Sequence, residues 1–335
     1  MPDYAHRKTE AQLHDLEDRL YSLYSDAEKS MRMKAASYFA QFEKRDRDMR
    51  EAVRDGKVTE SYYQTWRKVQ IARGEQFTYR AEDFAAQMLT VNQRAADWCN
   101  KDLPQIYALN YNHTVYQIEQ LNGMVALNLT DENTVKRLRI KNPNLLPNVS
   151  VDAEKDTLWN KKAFEKEILA GIVEGDDISH LADRVQHLVD GNRKNAVRVA
   201  RTAYTSAQNG GRQQGYEAAA DIGIDVHKRW IATKDGHTRE AHGIADGQVV
   251  RYDKPFKVGG YDMMFPGDPT APGALVWNCR CTTRTVEKNG IEAGKRKMRV
   301  IDPVTHKNVL VDEMTYTEWL TWKKRREEDG EEHPV

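Results

Sequence analysis

Leu13, Leu16, Leu20 and Leu23 recur at three- and four-residue steps, and Ala27, Met31, Ala35, Tyr38, Phe39 and Phe42 continue the stripe. The positions between them carry mixed charge, such as Glu17, Asp18, Arg19 and Glu28. Apolar residues at that spacing share one helix face, so residues 8–55 are predicted as a long amphipathic helix that stops at Asp55-Gly56. Its length points to a helical hairpin or coiled coil. A second helix is expected from Thr59, an N-cap residue, through Tyr62, Tyr63, Trp66, Val69 and Ile71. A third, beyond Gly74, carries Phe77, Phe84, Met88, Val91, Ala95 and Trp98; it is expected to end near Asn100 because Pro104 follows. Ile106, Tyr107, Tyr111, Val115 and Ile118 predict another. Residues 1–122 thus read as an antiparallel helical array.

The pattern then loses its period. Gly123, Pro143 and Pro147, with Asn133, Asn142, Asn144 and Asn148, predict an irregular linker over 123–160. Helical spacing returns over 161–223. Phe164, Ile168 and Ile172 form one stripe ended by Gly175, and Asp177 or Ser179 can cap the next helix, with Leu181, Val185, Leu188 and Val189. Asp190-Gly191-Asn192 reads as a turn, followed by a small-residue face at Ala196, Val199, Ala200, Ala203, Tyr204 and Ala207. From Ile224 the period falls to two: Val226, Trp230 and Ala232 alternate with polar residues, and Val249, Val250 and Tyr252 follow Asp246-Gly247. Residues 224–312 are therefore expected to be a β-containing module, with a hairpin over Met298 to Val311 turning near Pro303 and His306. Residues 313–335 read as a short helix with Trp319, Leu320 and Trp322, then an acidic tail expected to be disordered. The fold class that follows is mainly α, an extended helical array followed by a small α+β C-terminal module.

Composition agrees with long exposed helices: of 335 residues, 39% are hydrophobic and 30% charged, and a surface helix needs only one apolar stripe. Lys plus Arg and Asp plus Glu are 51 each, so no global attraction to nucleic acid or anionic membrane is encoded. Local basic groups remain. Arg193, Arg198, Arg201 and Arg212 are candidate DNA contacts beside Lys194, while Lys323, Lys324, Arg325 and Arg326 are partly neutralised by Glu327 and Glu328. No apolar run reaches bilayer length, and the first residues lack the apolar core of a secretory signal. The expected compartment is a cytoplasm, or a particle assembled there. Three cysteines do not make a disulfide framework, and a reducing compartment suits Cys279 and Cys281.

The chemistry concentrates between Trp230 and Cys281: Asp235, Thr238, Arg239 and His242, then Pro266-Gly267-Asp268-Pro269, then Asn278-Cys279-Arg280-Cys281. His242, Cys279 and Cys281 offer an imidazole and two thiolates, which suit Zn²⁺, with His237 or Asp235 able to complete a tetrahedron. The C-x-C spacing is tighter than that of most structural zinc sites. The alternative is a small buried Cys279, His242 as a loop anchor, and Asp235, Thr238 and Arg239 forming a turn with a charge-assisted pair. An enzymatic version would be a zinc-dependent or cysteine hydrolase centred on Asp235, His242, Cys279 and Cys281. The PGDP sequence makes a rigid turn and requires no catalysis. The sequence holds no Walker A, G-x-G-x-x-G or H-E-x-x-H motif, so ATP-driven packaging is not expected of it.

The block D-x-x-T-R-x-x-H (Asp235 to His242), PGDP and NCRC, in that order, resembles the phage Mu F-like head-morphogenesis family. Arg198-x-Ala200-Arg201-Thr202-Ala203, Asn209-Gly210, Gly215, Lys228-x-Trp230 and Phe256 extend the resemblance upstream and within the block. Ala203 stands where many relatives carry an acid. The resemblance implies a non-enzymatic minor head protein without catalytic residues, with 161–223 as the helical part of the head-morphogenesis domain. It further implies a place inside the virion head near the portal, after assembly in the host cytoplasm, with portal protein, scaffold and phage DNA as partners. A similar module also leads fused phage toxins. About fifty residues follow NCRC here, too few for a separate toxin domain of ordinary size.

Overall fold

The computed structural model describes residues 3–72, 75–122, 127–174, 178–288, 298–301, 308–311 and 315–328. Three long or medium helices open the chain: α1 (Tyr4–Arg54), α2 (Glu60–Ala72) and α3 (Glu75–Asn122). Next come α4 (Glu132–Lys141), a single 3₁₀ turn at Pro143–Leu145, α5 (Ala153–Glu174) and α6 (Ile178–Asp221). Short elements follow: β1 (His227–Ile231), α7 (Glu240–Ala245), β2 (Val249–Arg251), β3 (Phe256–Val258), β4 (Tyr261–Met263), α8 (Gly273–Val276) and β5 (Thr282–Val286). The hairpin β6 (Met298–Ile301) and β7 (Asn308–Val311) precedes α9 (Tyr316–Glu328). The architecture is mainly α with a small α+β C-terminal module, as the periodicity predicts.

Three stretches differ from their sequence expectation. Helix α3 does not stop near Asn100 but runs through Pro104. A proline inside a helix costs roughly 3 kcal/mol. Leu103, Ile106 and Tyr107 beside it are essentially fully buried, and each such side chain returns about 1.5–3 kcal/mol, so packing wins. Asp190-Gly191-Asn192 is not a turn but lies inside α6. Asn192 Nδ2 donates to the Leu188 carbonyl and to Asn160 Oδ1, which offsets the ~1 kcal/mol helix penalty of one glycine. Within the stretch expected to be irregular, Asp131 caps α4 by accepting from Thr134 N at 2.6 Å, and Val135 is buried beneath it.

Some expectations fall outside the described residues: the side chains of Tyr38, Phe39, Phe42, Ile71, Phe77, Ile172 and Ser179, and Gly74, Gly123, Gly175 and Asp177. The same holds for the turn at Pro303 and His306 and for the acidic tail.

The chain divides into two compact units, each discontinuous in sequence. The first comprises 15–98 and 150–197. Within it α1 and α3 run antiparallel, because partner numbers move in opposite directions. Arg19 lies over the Trp98 ring, Tyr24 donates to Asn92, and Lys34 pairs with Asp83. Leu16, Leu20, Tyr24 and Met31 bury one stripe of α1, while Phe84, Met88 and Val91 bury the facing stripe of α3. Phe84 meets Phe164 of α5 edge-on at 5.4 Å.

The second unit comprises 1–14, 99–149 and 198–335. Its helices α3 and α6 approach closely: a Cβ on Gly211 would fall 2.3 Å from the Tyr107 carbonyl oxygen. Its sheet is antiparallel in the order β2-β1-β5, with Lys228 opposite Val250 and Thr285, and Trp230 opposite Thr283. Val115, Ile118, Tyr216, Val226 and Trp319 form one core cluster there. Trp230, Phe256, Val258, Met263, Cys279 and Cys281 belong to another.

Candidate functional site

The site is built on the second half of α6. Thr205, Gln208, Asn209 and Arg212 recur at helical spacing, and all are buried. Buried polar groups must find partners, and these find them on β5 and the loops before it. Asn209 Nδ2 donates to the carbonyls of Pro266 and Cys281 at 3.0 and 3.1 Å, while its Oδ1 accepts from Thr283 N. One side chain thus joins the PGDP turn and the NCRC segment to α6. Arg212, fully buried, donates to both carboxylate oxygens of Asp3, to Asn110 Oδ1 and to the Thr283 carbonyl. The Asp3 carboxyl sits far below its usual range although burial, the largest influence, pushes the other way; the Arg212 guanidinium outweighs it, with help from His113.

The PGDP turn follows from its residues. Gly267 has φ +81, and a Cβ there would meet Ser206 N at 3.0 Å. Asp268 accepts from Met264 N, Thr270 N and Thr270 Oγ1 and so closes its own loop. Lys228 is buried on β1, donates to Gln213 Oε1 and the Met264 carbonyl, and lies 5.3 Å from the Phe256 ring centroid. Burial brings its ammonium down to about 8.

The NCRC segment is held at almost every backbone oxygen. Arg239 donates to the Trp277 carbonyl, Thr205 to Cys279, Thr233 to Arg280 and Asn209 to Cys281. Asn278 N donates to Thr202 Oγ1, and Asn278 takes the left-handed backbone conformation, φ 55, that reverses the chain before Cys279. Asp235 pairs with Arg280 and accepts from His237 N, while Thr238 donates to the Thr233 carbonyl. The charged partner of Asp235 is therefore Arg280, and Arg239 serves the Trp277 carbonyl instead.

These ties bring three of the predicted residues together. His242 on α7, Cys279 and Cys281 are all buried, and their donor atoms lie within 4.8 Å of one another. His242 Nδ1 is 3.4 Å from Cys281 Sγ and 3.7 Å from Cys279 Sγ. The ring packs edge-on against Trp230, with centroids 5.6 Å apart. Cys281 is drawn well below the usual thiol range by the Cys279 thiol, and further by His242 and the Thr233 N–H. Cys279 is pushed above it by its bond to Cys281 and by burial. Both cysteines are free thiols. Asp235 and His237, the other predicted ligands, do not join the group. A cavity of about 600 Å³ nearby is lined by His6, Glu10, Lys234 and Thr233, among others, and by none of the three donors.

The four predicted DNA contacts differ in their surroundings. Arg212 is an internal cation, which removes it from any outward patch. Arg193 pairs with Asp190 and stacks over Tyr21. Arg198 stacks over Trp277 at 5.0 Å, and Arg201 is half-buried with interactions of its own. Lys323, read from sequence as part of a basic cluster, is buried against Glu119, which also accepts from Trp319 Nε1 at 3.0 Å. Sequence reasoning missed Thr202, Thr205 and Thr233 as loop anchors. The spacing of Thr205, Asn209 and Arg212 along one buried helix face was the available signal.

Residues 162–284 match the family described as Phage Mu protein F like protein. The match covers that segment of the chain. It spans α6, the PGDP turn and the NCRC segment, which Asn209 ties together. The chain is also 29% identical over 234 residues to "Minor head protein GP7" of Bacillus phage SPP1, covering 67% of this chain and 71% of that protein. It is 32% identical over 161 residues, 48% of this chain, to "NAD(+)--arginine ADP-ribosyltransferase EFV" of Enterococcus faecalis. The chain spans only 31% of that relative's length. No solved structure matches. The family match and the head-protein relative support a phage head protein. No helix among the described residues is long and apolar enough to cross a membrane.

Proposed function

We propose that this protein is a minor component of the phage head that acts in head morphogenesis at the portal vertex. It binds the portal protein, with scaffold and packaged DNA as its other contacts, and is carried in the virion after assembly in the host cytoplasm. The observation that carries this reading is the similarity to a minor head protein over 71% of that protein's length. The family match falls on the segment where the motif residues are tied into one structural unit. The test is co-purification of the tagged chain with portal protein from infected cells. Recovery of portal is the expected result; its absence, under conditions that retain other head complexes, would overturn the reading.

A hydrolase centred on Asp235, His242, Cys279 and Cys281 is the weaker reading. A nucleophile or metal-bound water needs access to substrate. Here the imidazole and both thiols are buried at 2–3% exposure, and Asp235 is engaged by Arg280 away from the group.

A further inference from the structure

We propose that His242, Cys279 and Cys281 form a zinc site that locks the NCRC segment onto α7. Geometry is the first support. With Zn–S of about 2.3 Å and Zn–N of about 2.0–2.1 Å, a tetrahedral site sets its S···N edges at about 3.6 Å and its S···S edge at about 3.8 Å. The two S···N separations here are 3.4 and 3.7 Å, and all three donors fall within 4.8 Å.

Donor chemistry is the second. Thiolate and imidazole are the ligands zinc takes, and two thiolates neutralise a divalent cation, so the occupied site carries no net charge into the core. The polar neighbours of His242 Nδ1 are two sulfurs, which are weak hydrogen-bonding groups. A buried imidazole gains little from them without a cation.

The supporting frame is the third. Four side chains hold the carbonyls of Trp277, Cys279, Arg280 and Cys281. Anchors on the backbone around a ligand fix where its donor atom sits, as second-shell hydrogen bonds do around bound metals. Binding displaces the protons that the two thiols still carry and leaves the imidazole neutral. The inference does not depend on the portal reading: either can fail while the other stands.

The test is zinc content of the full chain purified without chelator, together with cobalt(II) loading of the stripped protein. The expected result is about one zinc per chain, and a cobalt spectrum with thiolate charge-transfer and tetrahedral bands. Cys99→Ser, at a buried cysteine outside the cluster, is expected to keep the metal. Cys281→Ser is expected to weaken binding by more than about tenfold. Because a substitution at a buried ligand can also unfold the module, the deciding readout is on the unaltered chain. Metal-free wild-type protein with no cobalt–thiolate band overturns the proposal, as does a Cys281→Ser variant that retains zinc at full affinity.

Discussion

The helical unit of 15–98 and 150–197 and the NCRC-bearing part of the other unit are held together in different ways. The first repeats one device: Leu16, Leu20, Tyr24 and Met31 bury one stripe of a long helix. The second depends on a few polar side chains, each with several partners, chiefly Asn209 and Arg212. A stripe degrades gradually when one residue is cut back. A hub fails at once, because every group it satisfied is left buried and unpaired.

The sharpest break of that contrast is Arg212→Ala. It strands Asp3 in the core, and removing one partner of a buried ion pair costs about 3–5 kcal/mol. Chemical denaturation should show a loss of that size. A loss below roughly 1 kcal/mol would mean that Asp3 is solvated in solution. Leu20→Ala in the helical unit should cost about 2–4 kcal/mol, through lost burial and a cavity. The same denaturation experiment checks it, and a neutral result would remove α1 from the core.

Next comes pH. His113 is buried, which lowers its pKa from 6.5 to about 4 against the pull of Asp3; Arg212, Arg284 and Arg7 add to the lowering. The folded form therefore keeps His113 neutral while the unfolded chain takes up a proton. Stability from this group is full above 6.5, falls as pH drops from 6.5 to 4, and is constant below that. The gap between those two values corresponds to roughly 3 kcal/mol at most. Melting temperature against pH should decline in that window, and a His113→Gln variant should flatten the decline. Asp3, with its lowered pKa, contributes in a separate window: its stabilisation is present above the ordinary carboxylate value and is lost as pH falls below it. The smallest effect belongs to the exposed Lys257–Asp262 pair on the β3–β4 hairpin. Exposed pairs add little, so Lys257→Ala should leave the melting temperature unchanged.

The same contrast explains what was legible beforehand. The Leu13–Leu23 stripe states its helix directly, because burial on one face imposes a period. The alternation at Val226, Trp230 and Ala232 likewise marks β1, whose Lys228 and Trp230 are buried. Pro104 and Gly191 misled, because local breakers weigh less than the packing on either side of them. His242, Cys279 and Cys281 were readable as a donor set from residue type and nearness in sequence. Their meeting in space was not, because it depends on Thr205, Thr233 and Asn209, whose partners lie up to 74 residues away. Arg212 and Lys323 looked like surface cations because sequence does not reveal Asp3 or Glu119 as buried partners.

The most direct test of the functional account is quantitative mass spectrometry of purified phage heads, comparing heads assembled with and without portal protein. The account predicts the chain in portal-containing heads and its loss from portal-less ones. Equal amounts in both, or absence from both, would contradict it.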